Sequence, residues 1–198
     1  MLVFWDENLV FLAVPKTGST ALSNALAPRA AMVLRDPPSI KHSPVYRYRR
    51  FLKPYFKQAG GKDPAAMAVV REPISWLSSW YRYRHRETLA GHPNSTIGIS
   101  FDDFCLEYMK GKRRDFANLG SQSKFLLTRD NELGVTHLFQ YEDQPRLISF
   151  LEARLNHKIE LPQANVSPQM NLELSEEVEE RLRRKCALEF AVWEMGAA

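Results

Sequence analysis

The sequence predicts an α/β fold: one domain over residues 1–198, with a central, mostly parallel sheet flanked by helices in three layers. Two observations predict it. Apolar runs too short for helices, at residues 9–14, 66–70 and 137–141, alternate with longer stretches whose apolar residues recur every three or four positions. The run Leu9-Val10-Phe11-Leu12-Ala13-Val14 is apolar without interruption, the pattern of a strand covered on both faces.

The elements follow in order. Leu2 to Trp5 and Leu9 to Val14, split by Asp6-Glu7-Asn8, read as a hairpin. Pro15 ends its second arm. Gly18-Ser19-Thr20 then opens a helix carrying Ala21, Leu22, Ala25 and Leu26. Ala30 to Leu34 is a second strand, followed by a polar loop from Arg35 to Ser43. Ser43-Pro44 has the look of an N-cap with proline at the first helical position, so a helix runs from Pro44 to Gln58, bent or broken at Pro54. Ala66 to Val70 is a buried strand, and Pro73 starts a helix reaching Leu89. Ser100 caps a helix from Phe101 to Met109. His137 to Tyr141 is a strand and Glu142 to Leu155 a helix. A last helix begins near Ser175, with Glu176 and Glu177 in its first turn and one apolar stripe of Val178, Leu182, Cys186, Phe190 and Trp193. Before it, Asn165-Val166-Ser167-Pro168 reads as a loop that also matches a glycosylation acceptor.

Bulk properties exclude several classes. No apolar run reaches 18 residues, so no membrane span is expected. Met1 to Asp6 carries neither a basic start nor a long apolar core, so the expected location is cytoplasmic. Two cysteines, Cys105 and Cys186, are too few for a zinc site. Both are expected to pack as free thiols, a disulfide being disfavoured in the cytosol. The net charge of +4 favours anionic partners in general without separating nucleotide, sulfated glycan, nucleic acid or membrane.

In open α/β sheets ligands bind beyond the carboxyl ends of the strands, so the loops after residues 14 and 70 are where chemistry is sought. The first is Pro15-Lys16-Thr17-Gly18-Ser19-Thr20. Glycine lets the backbone approach an oxyanion, the helix start supplies free N–H groups, and lysine and hydroxyls add charge and donors. The lysine precedes the only glycine, which is not the Walker A order, and that argues against an ATP or GTP hydrolase. The second loop has Arg71 at the end of a strand and Ser79 eight residues on. Arginine offers a bidentate fork for a second phosphate, and serine a short donor.

These two loops resemble the paired motifs of the PAPS-dependent sulfotransferases, in particular the small bacterial and carbohydrate-modifying branch. Pro15 to Thr20 is similar to the loop that holds the 5′-phosphosulfate. Arg71-Glu72-Pro73 with Ser79 is similar to the 3′-phosphate motif, with Glu72 where the family has Asp or Asn. Tyr141-Glu142-Asp143 and Gln122-Ser123-Lys124-Phe125-Leu126 look like downstream family features. The likeness covers roughly residues 9 to 155. No Arg-Lys-Gly stands near the C-terminus, unlike the aryl and steroid branch.

The resemblance implies a P-loop-like sulfotransferase domain that moves a sulfuryl group from 3′-phosphoadenosine 5′-phosphosulfate (PAPS) to an acceptor hydroxyl or amine by in-line displacement, leaving PAP, with no metal. Lys16 would stabilise the leaving phosphate oxygen. Lys16, Thr17, Gly18, Ser19, Thr20, Arg71 and Ser79 would bind the donor. His42 is the first candidate for the base, with Asp36 second; Lys41 is equally a sulfate contact or a surface lysine. The acceptor is a small molecule or a glycan, anionic ones included, and no nucleic acid is expected. Two other readings stand beside this one: a P-loop-like nucleotide-dependent kinase, and a non-catalytic binder of PAP or nucleic acid.

Other residues carry bland alternatives. Trp76 and Trp80 could stack on adenine, but core packing is the preferred reading. Gln122 and Ser123 are nucleotide contacts or a simple turn. His85, His92, His137 and His157 read as structural or exposed. Arg47, Arg50, Lys53 and Lys57 form one helix face, with Tyr48, Phe51, Leu52 and Tyr55 as the opposite, apolar stripe. Arg82, Arg84 and Arg86 form a second basic segment. Both read first as solvated faces and second as an anion-binding groove.

Overall fold

A computed structural model describes residues 1–161 and 170–197; the Asn165–Pro168 loop lies outside the described residues. Five strands among these residues form one open sheet in the order β3-β1-β2-β4-β5. They are β1 Leu2–Phe4, β2 Leu9–Leu12, β3 Met32–Val33, β4 Ala65–Val70 and β5 His137–Gln140. β2, β4 and β5 pair in parallel, while β1 runs antiparallel to both β2 and β3. The sheet is therefore mixed, with one reversed strand. The hairpin 2–12 supplies that reversal, because a tight turn can join only antiparallel neighbours.

Period-two alternation splits the buried strands between two cores. Leu9, Phe11, Met67, Val69 and Phe139 pack against α1 (Ser19–Leu26) and α8 (Gln144–Leu155). Val10, Leu12, Ala66, Ala68, Val70 and Leu138 face the other way. That second layer contains α3 (Val45–Arg47), the π turn Tyr48–Leu52, α4 (Lys53–Gly60), α7 (Gln122–Leu126) and α10 (Ala187–Glu194). A third cluster joins α5 (Pro73–Arg84), α6 (Phe101–Tyr108) and α9 (Glu176–Lys185). A single-turn helix, α2 (Pro38–Lys41), lies in the expected polar loop.

Several local expectations are corrected. Ser43 does not cap the next helix; its hydroxyl donates to Ile40 O, and Pro44 itself occupies the cap position. Pro54 does not break the helix. It falls in the first turn of α4, and the π turn just before it absorbs the missing N–H. The long helix from Pro73 ends at Arg84, with a separate 3₁₀ turn over Glu87–Leu89. The single terminal helix is two, broken at Cys186 with φ −111° and ψ 26°. The reason is packing. Val178 and Leu182 belong to the α5–α6 cluster, whereas Val192 belongs to the sheet, and no straight helix serves both. Cys186 is thus half-buried at the break rather than buried on a stripe; both cysteines are free. The expected cap at Ser100 is present, its Oγ accepting from the Asp103 N–H. No helix among the described residues is long and apolar enough to cross a membrane.

Candidate functional site

The two loops singled out in the sequence meet at the carboxyl ends of β2 and β4. The first leaves β2 through Val14 and turns at Lys16, whose φ of 66° lies in the left-handed region. For a lysine that backbone state costs on the order of 1 kcal/mol or more and persists only where surroundings impose it. The Thr17 hydroxyl donates to Val14 O at 2.9 Å and locks the turn. Thr17 therefore has only its backbone N–H to offer a ligand, not the hydroxyl the sequence suggested. Gly18 follows at φ 71°, and a Cβ there would lie 3.0 Å from the Tyr141 ring. Glycine is favoured on both counts. Ser19 is buried, and Thr20 is exposed and accepts from Lys41 Nζ at 3.3 Å.

The second loop is tied to the first directly. Arg71 Nη1–H donates to Lys16 O at 3.3 Å, and Trp76 Nε1–H donates to Pro15 O at 2.9 Å. Arg71 is further oriented by Nε–H donation to Ser75 Oγ and by the Tyr141 ring, 4.5 Å from its guanidinium carbon. Both N–H groups of Nη2 have no partner among the described residues. Tyr141 is held there by its own N–H donating to Val70 O, which continues the β4–β5 ladder. Glu72 acts as the N-cap of α5, accepting from Ser75 N–H at 2.7 Å. Its extra methylene does not cost the helix its cap. Ser79 lies buried on the same helix.

Lys16 Nζ sits 4.3 Å from the Tyr83 ring centroid and 5.6 Å from that of Trp80. Burial, and then the charges of Arg86, Arg71 and Arg82, lower its pKa to about 8. Two carboxylates, Glu142 and Glu72, act on Arg71, but the four cations outnumber them and leave the site net positive, as an anion site requires. Of the second basic segment, Arg82 and Arg86 thus join the cluster, but Arg84 does not. It is buried and donates to Asp115 O and Asn118 O, a structural role. The indole Nε1 of Trp80 is buried without a hydrogen-bond partner among the described residues. Trp76 packs in the core, as preferred from sequence.

His42 is tied to the chain just beyond the end of β2. Its Nδ1–H donates to Ala13 O at 2.7 Å; a carbonyl can only accept, so the tautomer is settled and Nε2 carries the lone pair. Burial lowers its pKa, the bond to Ala13 opposes this, and Lys41 and the Met1 ammonium lower it further. The ring is therefore neutral at neutral pH and able to accept a proton. Asp36 is exposed on the loop.

Sequence reasoning left Gln122 and Ser123 undecided between ligand contact and turn. Gln122 grips the backbone of Arg71 from both sides: Oε1 accepts from Arg71 N–H at 2.9 Å, and Nε2–H donates to Arg71 O at 2.7 Å. Behind it, the buried Glu189 carboxylate accepts from the N–H groups of Gln122 and Ser123 and from the Ser123 hydroxyl. No local pattern marks Glu189, since it acts from α10 across 67 residues. Gln122→Ala removes the partners of two part-buried backbone groups, so the unfolding free energy in urea is expected to fall by about 1 kcal/mol or more. An unchanged urea midpoint would show that this amide holds nothing.

Compared with protein-family models, with curated proteins and with solved structures, the chain finds no match.

Proposed function

We propose that the chain is a sulfotransferase with a P-loop-like core, moving the sulfuryl group of PAPS onto an acceptor hydroxyl or amine and releasing PAP. One observation supports the reading: Arg71 donates to Lys16 O at 3.3 Å, which brings the two candidate phosphate loops together beyond the ends of β2 and β4. A nucleotide with anions at two separate positions is the ligand such a pair suits. Arg71 and Ser79 would hold the 3′-phosphate. Lys16 and the N–H groups of residues 17–20 would hold the 5′ end.

In this mechanism His42 Nε2 takes the proton of the acceptor hydroxyl as its oxygen forms the new S–O bond. The bond from sulfur to the 5′-phosphate oxygen breaks, and its electron pair stays on that oxygen. Lys16 stabilises the charge that grows there. The αL turn keeps the loop amides preorganised, and Lys41 beside Thr20 adds a cation at the acceptor side.

The test is thermal. PAP at about 100 times its dissociation constant stabilises by about 2.7 kcal/mol, a rise of roughly 5–10 °C in Tm. ATP with magnesium is expected to do far less; an equal shift would favour the kinase reading and sink this one. The affinity for PAP is also expected to fall as pH climbs through about 8, because Lys16 is charged below that value and neutral above it. The bound anions pull its pKa upward, so calorimetry at alkaline pH should register proton uptake on binding. Flat affinity between neutral pH and pH well above 8 would remove Lys16 from the binding site.

A further inference from the structure

Residues 37–62 contain seven Lys or Arg and no Asp or Glu. They fold into the arm α3–π turn–α4. Val45, Tyr48 and Phe56 turn inward to the sheet. Phe51 and Tyr55, which the sequence pattern placed on the apolar stripe with Tyr48, instead face water. Phe51 is 60% exposed, Tyr55 59% and Tyr46 52%. Arg49, Arg50 and Lys57 have no carboxylate partner among the described residues; the arm's one ion pair is Lys53–Asp63. Next to the arm a groove of about 550 Å³ continues the same character: Lys124 and Arg129 line it without any acidic residue, and Leu188 is 48% exposed.

A single-stranded nucleic acid pairs such cations with rings set along one groove that tracks its backbone, but Phe51 and Tyr55 lie outside the basic groove. A bilayer interface uses both. Aromatic rings settle at headgroup depth, apolar side chains enter the acyl boundary, and each basic residue near an anionic surface contributes about 1 kcal/mol. We infer that the α3–α4 arm is a peripheral docking face for a bilayer containing anionic phospholipid. His42 lies three residues before α3, so the arm is joined in the chain to the candidate site. The docking itself stands whether or not the cleft transfers sulfuryl groups.

Flotation of the full chain with vesicles tests it. Binding is expected to vesicles of phosphatidylcholine mixed with phosphatidylglycerol, not to phosphatidylcholine alone, and to weaken as salt is raised. Arg49→Gln with Arg50→Gln should weaken binding on the order of tenfold. Phe51→Ser with Tyr55→Ser should weaken it about tenfold or more, with Tm unchanged because both rings are exposed. Failure to bind mixed vesicles overturns the proposal. So does a Phe51/Tyr55 variant that binds like wild type, which would mark a surface for a polyanionic chain, read directly with single-stranded DNA or heparin. A wild-type dimer that the same variant converts to a monomer in sedimentation also overturns it, since the face would then belong to a second copy.

Discussion

Lys16→Ala is expected to lower the rate of sulfuryl transfer by about 10²–10³-fold or more while leaving the protein folded. The magnitude follows from what the side chain would do. Loss of one preorganised donor at a developing oxyanion removes about 3–4 kcal/mol of transition-state stabilisation, and here the donor also carries a full charge. The folded state has little to lose. Lys16 makes no ion pair among the described residues, and its ammonium rests on the faces of Tyr83 and Trp80. Burial and three arginines disfavour its charged form, so its removal relieves repulsion within the cluster. Tm is accordingly expected to hold or rise slightly. Arginine is not expected to rescue the variant, because a planar fork cannot take the place of a compact ammonium on the same turn. Steady-state transfer with labelled donor, read beside the melting curve, decides the matter. Near wild-type turnover by Lys16→Ala would exclude the residue from the chemistry.

Arg71→Ala is expected to weaken PAP binding by about 10²–10⁴-fold and to abolish most of the PAP-induced rise in Tm. Two charge-assisted hydrogen bonds of about 1.5–3 kcal/mol each are at stake. The guanidinium is already aimed before any ligand arrives, by Ser75, Lys16 O and the Tyr141 ring, so little ordering is needed on binding. The backbone of residue 71 stays in place in the variant, since Gln122 holds its N–H and C=O irrespective of the side chain. Arg71→Lys should recover only part of the affinity, a point charge replacing a bidentate fork. Titration calorimetry with PAP reads the effect. Unchanged affinity would mean that the 3′-phosphate lies elsewhere.

The contrast between legible and illegible features is physical. The buried strands could be read because continuous apolar runs flanked by Pro15 or by Arg71-Glu72-Pro73 admit little else. The turn at Gly18 could be read because a strand that stops at proline and restarts as a helix must reverse in a few residues. That Lys16 and Arg71 fall beside one another could be anticipated because each stands just beyond the end of one of two adjacent parallel strands. The outward turn of Phe51 and Tyr55 could not, because the π turn shifts the helical phase in mid-segment. The break at Cys186 could not, because the stripe through Val178, Leu182 and Trp193 is uniform while its residues serve different cores.

The sequence alone therefore determined the alternation of strands and helices, the two loops at the strand ends and the residue types each loop presents. These depend on nearest-neighbour patterning and on the restricted backbones of proline and glycine. Only the tertiary structure decided that Thr17 spends its hydroxyl on Val14 O, that Arg84 is structural while Arg82 and Arg86 join Lys16, and that Glu189 on α10 supports Gln122 behind Arg71. Each of those choices is made by a partner many residues away, and a one-dimensional pattern carries no distance between residues that meet only when the sheet closes.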